Sequence, residues 1–154
     1  MLYLSLGSNL ADRKYYLYKA CTLINENIGS IIAFSEIFET EPWGFDSSNR
    51  FLNQAIAIDT DLQPIAILDK TQQIEKELGR SSKSTGGNYA DRIIDIDLIM
   101  YNDIVFNSAR LKLPHPLAHE RRFVLVPLSQ IAPELTHPLL GLTVAEMLRN
   151  LETD

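Results

Sequence analysis

Hydrophobic residues change their spacing along this chain, and the spacing predicts strands and helices in alternation. Apolar residues alternate with other side chains or run together along 2–6, 31–38, 51–58 and 92–101, which is typical of β-strands. They recur every three or four positions along 12–28, 64–78 and 143–151, which is typical of amphipathic helices. Two shorter runs, 104–106 and 111–113, predict a hairpin. The segment 121–128 fits either an extended run or the start of a helix.

The ends of the predicted helices carry recognisable signals. Asp12 is a candidate N-cap for the first helix, and Gly29 is expected to end it. Gly79 follows the second helix as a candidate C-cap. Thr143 and Glu146 stand at the spacing of a capping box for the last helix.

The strand over 92–101 carries two aspartates among isoleucines. Alternation predicts a core face and an opposite face that contains Asp95 and Asp97. The expected core residues are Ile94, Ile96, Leu98 and Met100. Two carboxylates on a half-buried face repel each other, and a divalent cation such as Mg²⁺ between them removes that cost. An Asp-x-Asp pair is also common on solvated faces, so the pair alone leaves both readings open.

Other segments carry side chains that suit a nucleotide or a flat ring. Arg80, Lys83 and Arg92 lie in or beside a long polar segment that leads into the aspartate strand. Such a basic loop suits a polyphosphate with its metal ions, and it equally suits an ordinary surface loop. Phe51 stands two residues before Asn53, and Arg121 stands two before Phe123. If these faces converge, two aromatic rings and an amide meet two carboxylates and several arginines, which favours phosphoryl-type transfer to a planar heterocycle.

Composition narrows the class of protein. A chain of 154 residues predicts one domain, 1–154. The net charge of −6 gives no reason to expect nucleic-acid binding, and the sequence has no apolar run of membrane-spanning length. The single cysteine, Cys21, has no internal partner for a disulfide, which fits a reducing cytoplasm. We also expect a monomer.

Six motifs together resemble one enzyme family across nearly the whole chain. They are Ser5-Leu6-Gly7-Ser8-Asn9, Thr40-Glu41-Pro42-Trp43-Gly44, Phe51-Leu52-Asn53, Glu75-x-x-x-Gly79-Arg80, Arg92-Ile93-Ile94-Asp95-Ile96-Asp97-Leu98, and Leu113-Pro114-His115-Pro116 with Arg121-x-Phe123-x-Leu125-x-Pro127-Leu128. In this order they resemble the 6-hydroxymethyl-7,8-dihydropterin pyrophosphokinases of folate biosynthesis. The resemblance implies the α+β class: a ferredoxin-like sandwich of an antiparallel sheet with helices on both faces.

The resemblance also implies a reaction and a set of site residues. Pyrophosphate would pass from ATP to the pterin hydroxymethyl group, leaving AMP, with two Mg²⁺ ions held by Asp95 and Asp97. The implied catalytic residues are Asp95, Asp97, Arg80 and Arg92. The implied ATP residues are Gln72, Glu75, Ile96, His115 and Arg121. The implied pterin residues are Thr40, Pro42, Trp43, Phe51, Asn53 and Phe123.

The chain departs from the family pattern in two places. The segment after Arg80 has Ser82, Asn88 and Asp91 where further arginines are usual, and Phe51 stands where tyrosine is frequent. Two other classes of protein therefore stay in view: a catalytically silent ferredoxin-like binding module, and a kinase or nucleotidyltransferase that uses the same aspartates. The identity of the nucleotide product separates them.

Overall fold

The computed structural model describes residues 1–41, 49–79 and 93–152. These ranges hold the following strands and α-helices. They are β1 (Leu2–Ser8), α1 (Arg13–Asn27), β2 (Ser30–Phe34), β3 (Phe38–Thr40), β4 (Phe51–Asp59), α2 (Pro64–Glu77), β5 (Asp95–Tyr101), β6 (Phe106–Asn107), β7 (Lys112–Leu113), α3 (Arg122–Ile131) and α4 (Val144–Glu152).

The main sheet interleaves two β-α-β units. Its order is β2-β4-β1-β5, with β3 also paired to β4, and every pairing is antiparallel. Each unit connects two strands that do not neighbour each other, which is the arrangement of the ferredoxin-like split β-α-β fold. Strands β6 and β7 form the predicted hairpin as a separate antiparallel pair. The predicted fold class is therefore confirmed.

Helices cover both faces of the sheet and give the molecule two hydrophobic clusters. The first cluster lies under α1 and α2, where Leu17 and Ile67 meet Leu4 of the sheet. The second lies under α3 and α4, where Leu125 and Met147 pack with small sheet residues such as Ala55. Helix α3 packs mainly on β4. The sheet face under α3 is the face that carries the candidate site.

The predicted N-terminal caps of α1 and α4 are confirmed by hydrogen bonds. The Tyr15 amide donates to Asp12 Oδ1 at 3.2 Å at the start of α1. The Thr143 amide donates to Glu146 Oε1 at 3.0 Å, and the Glu146 amide donates to Thr143 Oγ1 at 3.1 Å. These reciprocal bonds hold the pKa of Glu146 below its usual value.

The predicted strand over 31–38 is in fact two strands, because Ser35 interrupts it. The Ser35 amide donates to the Ala55 carbonyl at 2.9 Å, and the Ser35 hydroxyl accepts from the Ala55 amide at 2.9 Å. A side chain that takes over a ladder bond separates β2 from β3. Strand β4 is an interior strand and pairs with β1, β2 and β3. The first strand also continues through Gly7 to Ser8.

The alternation predicted for 92–101 is wrong at its end. Leu4 pairs with Leu98, whereas Tyr3 pairs with Met100, so Ile99 is an extra residue in β5. This β-bulge exchanges the faces of the following residues. Met100 packs in the cluster under α3, and Tyr101 packs in the cluster under α1 and α2. The Tyr101 hydroxyl lies 2.8 Å from the Leu62 carbonyl, to which it donates.

The structure also bears on two observations from the sequence, the apolar runs and the single cysteine. Among the described helices, none combines the length and the apolar character that a membrane span requires. Cys21 lies buried on α1, and burial raises the pKa of its thiol to about 12. Cys21 thus behaves as a small core residue.

Candidate active site

Cross-strand pairing brings the aspartate strand together with β4 through β1. Asp95 lies opposite Gly7 on β1, and Gly7 in turn lies opposite Asn53 on β4. One row further along, Asp97 lies opposite Ser5. Directly paired residues share one face of an antiparallel sheet. The two carboxylates and the amide therefore lie on the face under α3, so the condition that the sequence left open holds for these three residues.

Gly7 lies between Asp95 and Asn53 and has no side chain, so the sheet surface there is left open. A methyl group at Gly7 would lie 3.4 Å from Asn53 Oδ1 and 3.5 Å from Phe51 Cδ1. Both distances are ordinary van der Waals contacts, so the fold can accommodate a methyl group at Gly7. That methyl group would occupy space that is otherwise open to a ligand. The short side chain of Ser5 continues the same low surface beside Asp97.

Asn53 is held in one orientation by a residue from the predicted pterin set. Its Nδ2 lies 2.6 Å from Thr40 Oγ1 and donates to it. Thr40 pairs with Phe51 in the β3–β4 ladder, so Phe51, Asn53 and Thr40 form one group. Asn53 is only 2% exposed, and a buried amide that is already oriented can read the edge of a ring without reordering.

Phe123 and Thr40 line the same cavity, and Phe123 is placed there by a helix and not by an extended segment. Arg121 is the N-cap of α3, with extended backbone angles of φ −111° and ψ 101°, and Phe123 sits in the first helical turn. The extended alternative for this segment is therefore wrong beyond Arg121. A cavity of about 380 Å³ between β3 and α3 is lined by Thr40 and Phe123.

Arg121 is a buried cation beside the aspartates. Its side chain is 3% exposed, and its Nη1 lies 3.9 Å from Asp97 Oδ2. The guanidinium carbon also lies 5.6 Å from the centre of the Phe123 ring, which is cation–π distance. Burial lowers the pKa of Arg121 to about 10, which still leaves it charged at neutral pH. Positive charge is thus built into the site next to Asp97.

His115 presents one defined ring nitrogen to this region. Its amide donates to the Ile99 carbonyl at 2.9 Å, which fixes the loop to β5. Its Nδ1 accepts from the Leu117 amide at 3.1 Å, so the neutral ring carries its proton on Nε2. Burial lowers the pKa of His115, and nearby Asp95 opposes that shift. At neutral pH the ring is a hydrogen-bond donor through Nε2.

The residues assigned to ATP occupy two different environments. Glu75 is 2% exposed, and its Oε2 accepts from the Ile96 amide at 2.9 Å. The Ile96 side chain lies in the core under α1 and α2, so only its backbone is available to a ligand. Gln72 is half-buried, and its Oε1 accepts from Arg110 at 3.2 Å. Arg110 was not among the site residues predicted from the sequence. Its one indication in the sequence is a positive charge a few positions before His115.

Four predicted site residues lie outside the described ranges: Arg80, Arg92, Pro42 and Trp43, together with the basic segment between the first two. Their roles stay predictions. Within the described ranges, the structure contains no group of three or more His, Cys, Asp or Glu side chains arranged to hold a metal ion.

Comparison with known proteins relates most of the chain to one enzyme family. Residues 3–133 match the family model for 7,8-dihydro-6-hydroxymethylpterin-pyrophosphokinase (HPPK). The chain is 48% identical over 139 residues to the 2-amino-4-hydroxy-6-hydroxymethyldihydropteridine pyrophosphokinase of Porphyromonas gingivalis, covering 90% of this chain and 94% of that protein. It is 37% identical over 151 residues to a folic acid synthesis protein of Dictyostelium discoideum, covering 98% of this chain and 22% of that protein.

A solved structure supports the fold assignment. The crystal structure of wild-type Plasmodium falciparum HPPK-DHPS aligns with 97% of this chain at a TM-score of 0.77 and 17% identity. This chain spans 42% of that longer chain, so the likeness concerns the fold alone. The family-model match extends from β1 to the end of α3 and includes the whole aspartate strand. The chain belongs to the 7,8-dihydro-6-hydroxymethylpterin-pyrophosphokinase family.

Proposed function

We propose that this chain transfers pyrophosphate from ATP to the hydroxymethyl group of 6-hydroxymethyl-7,8-dihydropterin, giving AMP and the pterin diphosphate in folate biosynthesis. The observation that carries the proposal is the convergence of Asp95, Asp97 and Asn53 on one sheet face, beside the buried Arg121. This arrangement puts ring-binding and phosphate-binding side chains within one site. The family membership supports the same reaction.

The pterin ring belongs between Phe51 and Phe123 in this proposal. Two aromatic faces bind a flat heterocycle by stacking. Asn53, oriented by Thr40, reads the polar edge of the ring. The cavity beside Thr40 and Phe123 supplies the room. Pro42 and Trp43 complete the pterin side in this proposal.

The aspartates fit Mg²⁺. They offer oxygen ligands only, share one face of β5, and are half-buried. Side chains two apart on a strand are about 7 Å apart along it, which leaves room for two ions. Each ion would complete its octahedron with water and phosphate oxygens. Bound there, Mg²⁺ would supply neutralisation of phosphate charge and would lower the pKa of the attacking alcohol.

The remaining polar residues bind and orient the polyphosphate. Arg121 places a fixed guanidinium beside Asp97, and His115 offers its Nε2 proton as a donor. Phosphoryl transfer depends mainly on alignment and charge neutralisation, so these contacts are the chemical contribution of the chain. The proposed ATP side of the site consists of Gln72, Glu75, Ile96, His115 and Arg121. The proposed catalytic group consists of Asp95, Asp97, Arg80 and Arg92.

The identity of the nucleotide product tests this function. With ATP, Mg²⁺ and 6-hydroxymethyl-7,8-dihydropterin, we expect pterin-dependent AMP that disappears when the metal is chelated. ADP would indicate single phosphoryl transfer, and released pyrophosphate would indicate nucleotidyl transfer. No turnover by a folded protein would support the silent binding module. Any of these three results would contradict the proposal.

We further propose that residues 1–154 act as one domain, as a monomer and in the cytoplasm. Both hydrophobic clusters pack on one sheet, which supports a single unit. The buried thiol of Cys21 suits a reducing compartment.

A further inference from the structure

The carboxylate side chain of Glu75, on α2, is buried away from solvent. It is 2% exposed on α2, in a helix whose other acidic residues, Asp69 and Glu77, are exposed. Burial of a carboxylate is costly unless hydrogen bonds compensate it. Its Oε2 accepts from the Ile96 amide at 2.9 Å, across 21 residues of sequence. Glu75 is therefore built into the packing between α2 and β5.

The Ile96 amide lies between the two aspartates. Strand β5 is at one end of the main sheet and pairs with β1. Because the Ile96 amide donates to Glu75, it points away from β1, toward the edge that the main sheet leaves unpaired. An amide buried at such an edge needs an acceptor. Glu75 supplies it at the one residue that separates Asp95 from Asp97.

A second bond holds the same strand on the other side of Asp97. The His115 amide donates to the Ile99 carbonyl at 2.9 Å. The two bonds bracket Asp97, one at the residue before it and one at the second residue after it. Fixing the backbone of Ile96 fixes the direction in which its two neighbours project, since successive side chains leave a strand on opposite faces.

We propose that Glu75 is a positioning residue: it holds the Asp95-Ile96-Asp97 backbone in the geometry that binds metal and phosphate, through the Ile96 amide. Glu75 thus serves the ATP side by orienting the aspartates through the hydrogen bond that it accepts from the Ile96 amide. The inference rests on the proposed function, because it gives the aspartates their metal-binding role.

Two substitutions separate this role from the alternatives. Glu75→Gln keeps an oxygen acceptor of the same reach and removes the charge. Glu75→Met keeps the length and the helix propensity and removes the acceptor. Glu77→Met makes the same change at an exposed position two residues along α2 and serves as the control. Four quantities are measured: exchange of the Ile96 amide by NMR, the Mg²⁺ concentration for half-maximal turnover, the KM for ATP at saturating Mg²⁺, and the KM for pterin.

We expect Glu77→Met, the exposed control, to stay within about threefold of the unmodified chain in all quantities. We expect Glu75→Gln, which keeps the acceptor, to hold the Ile96 amide exchange and the Mg²⁺ requirement within about threefold. In Glu75→Met we expect the Ile96 amide to exchange at least about tenfold faster and the Mg²⁺ requirement to rise at least about tenfold. The KM values for pterin and for ATP at saturating Mg²⁺ should change by less than about threefold. A general loss of packing would not raise the Mg²⁺ requirement while leaving the two KM values unchanged.

Three results would overturn the inference. Equal loss in Glu75→Gln and Glu75→Met would assign the effect to charge. An ATP KM that rises at saturating Mg²⁺ would assign Glu75 to direct contact with the nucleotide. Unchanged exchange and Mg²⁺ requirement in Glu75→Met would remove the role altogether. If Glu75→Met fails to fold, full retention by Glu75→Gln supports the acceptor role and loss there contradicts it. Absence of turnover in the unmodified chain would refute the proposed function, while the amide exchange would still test the bond.

Discussion

Arg121 and Asp97 face each other across the candidate site, with Arg121 Nη1 3.9 Å from Asp97 Oδ2. The guanidinium is buried, whereas the carboxylate side chain is 26% exposed. The pair is too long for a strong hydrogen bond. Asp97 is thus kept near a positive charge while one side of it stays accessible. This suits a carboxylate that is proposed to bind a metal ion from its accessible side.

Asp97→Asn should therefore lower turnover far more than it lowers stability. The substitution keeps the shape of the side chain and removes the charge that is proposed to bind Mg²⁺. We expect turnover to fall at least about a hundredfold. The free energy of unfolding should change by less than about 1 kcal/mol, because the ion pair is long and partly solvated. Steady-state kinetics and denaturant unfolding measure the two effects.

Asp103→Asn is the matched control, because Asp103 lies exposed in the turn after β5. It should leave both quantities unchanged. Near-normal turnover in Asp97→Asn would show that Asp97 does not hold the metal.

Phe123→Leu tests the stacking role of the ring. Leucine keeps an apolar side chain in the first turn of α3 and removes the aromatic face. We expect the pterin KM to rise about tenfold, which corresponds to about 1.4 kcal/mol of lost stacking. The KM for ATP should stay the same. Phe34→Leu, at a position 55% exposed on β2, is the control and should change neither KM. Equal pterin KM values in all three proteins would rule out stacking on Phe123.

Gly7→Ala should fold and yet bind pterin poorly. Its methyl group would meet Asn53 and Phe51 at ordinary contact distances while it raises the floor of the site. We expect the pterin KM to increase about tenfold with little change in the melting temperature. Gly29→Ala gives the opposite pattern, because its methyl group would lie 2.2 Å from the Asp59 carbonyl oxygen. That protein should lose stability without a selective change in pterin KM. A lower melting temperature in Gly7→Ala with an unchanged pterin KM would contradict this account of the site.

His115 should make stability depend on pH. Burial lowers its pKa in the folded chain from the ordinary value of 6.5. The unfolded chain therefore binds the proton more readily, so this contribution to stability is complete above pH 6.5 and is lost as the pH falls through the folded pKa. His115→Asn keeps an acceptor for the Leu117 amide and does not titrate. We expect the unmodified chain to lose more free energy of unfolding than His115→Asn between pH 7 and the acid range. Parallel unfolding curves against pH would contradict the prediction.

Local rules were enough to predict much of this fold. Asp12, Thr143 and Glu146 cap their helices as expected, because capping depends on neighbours in sequence. Alternation also placed Asp95 and Asp97 on one face correctly, because β5 is regular over that stretch. The family resemblance then added candidate site residues such as Thr40 and Gln72, which periodicity had not singled out.

The errors arose where tertiary contacts decide the structure. The bulge at Ile99 depends on the pairing of β5 with β1, and it reversed the faces predicted for Met100 and Tyr101. The break at Ser35 depends on a bond to Ala55 on another strand. Glu75 looks in sequence like any solvated helical glutamate, and only packing against β5 shows that it is buried. Arg110 was left out for the same reason, since its contact with Gln72 joins distant segments.

Phosphorus NMR of a reaction that contains the chain, ATP, Mg²⁺ and 6-hydroxymethyl-7,8-dihydropterin tests the central claim most directly. One spectrum resolves AMP, ADP, free pyrophosphate and a pterin ester of diphosphate. The account predicts equal growth of AMP and of the pterin diphosphate, and neither in the absence of pterin or Mg²⁺. Growth of ADP with a pterin monophosphate, or of pyrophosphate with a pterin–AMP ester, would contradict it.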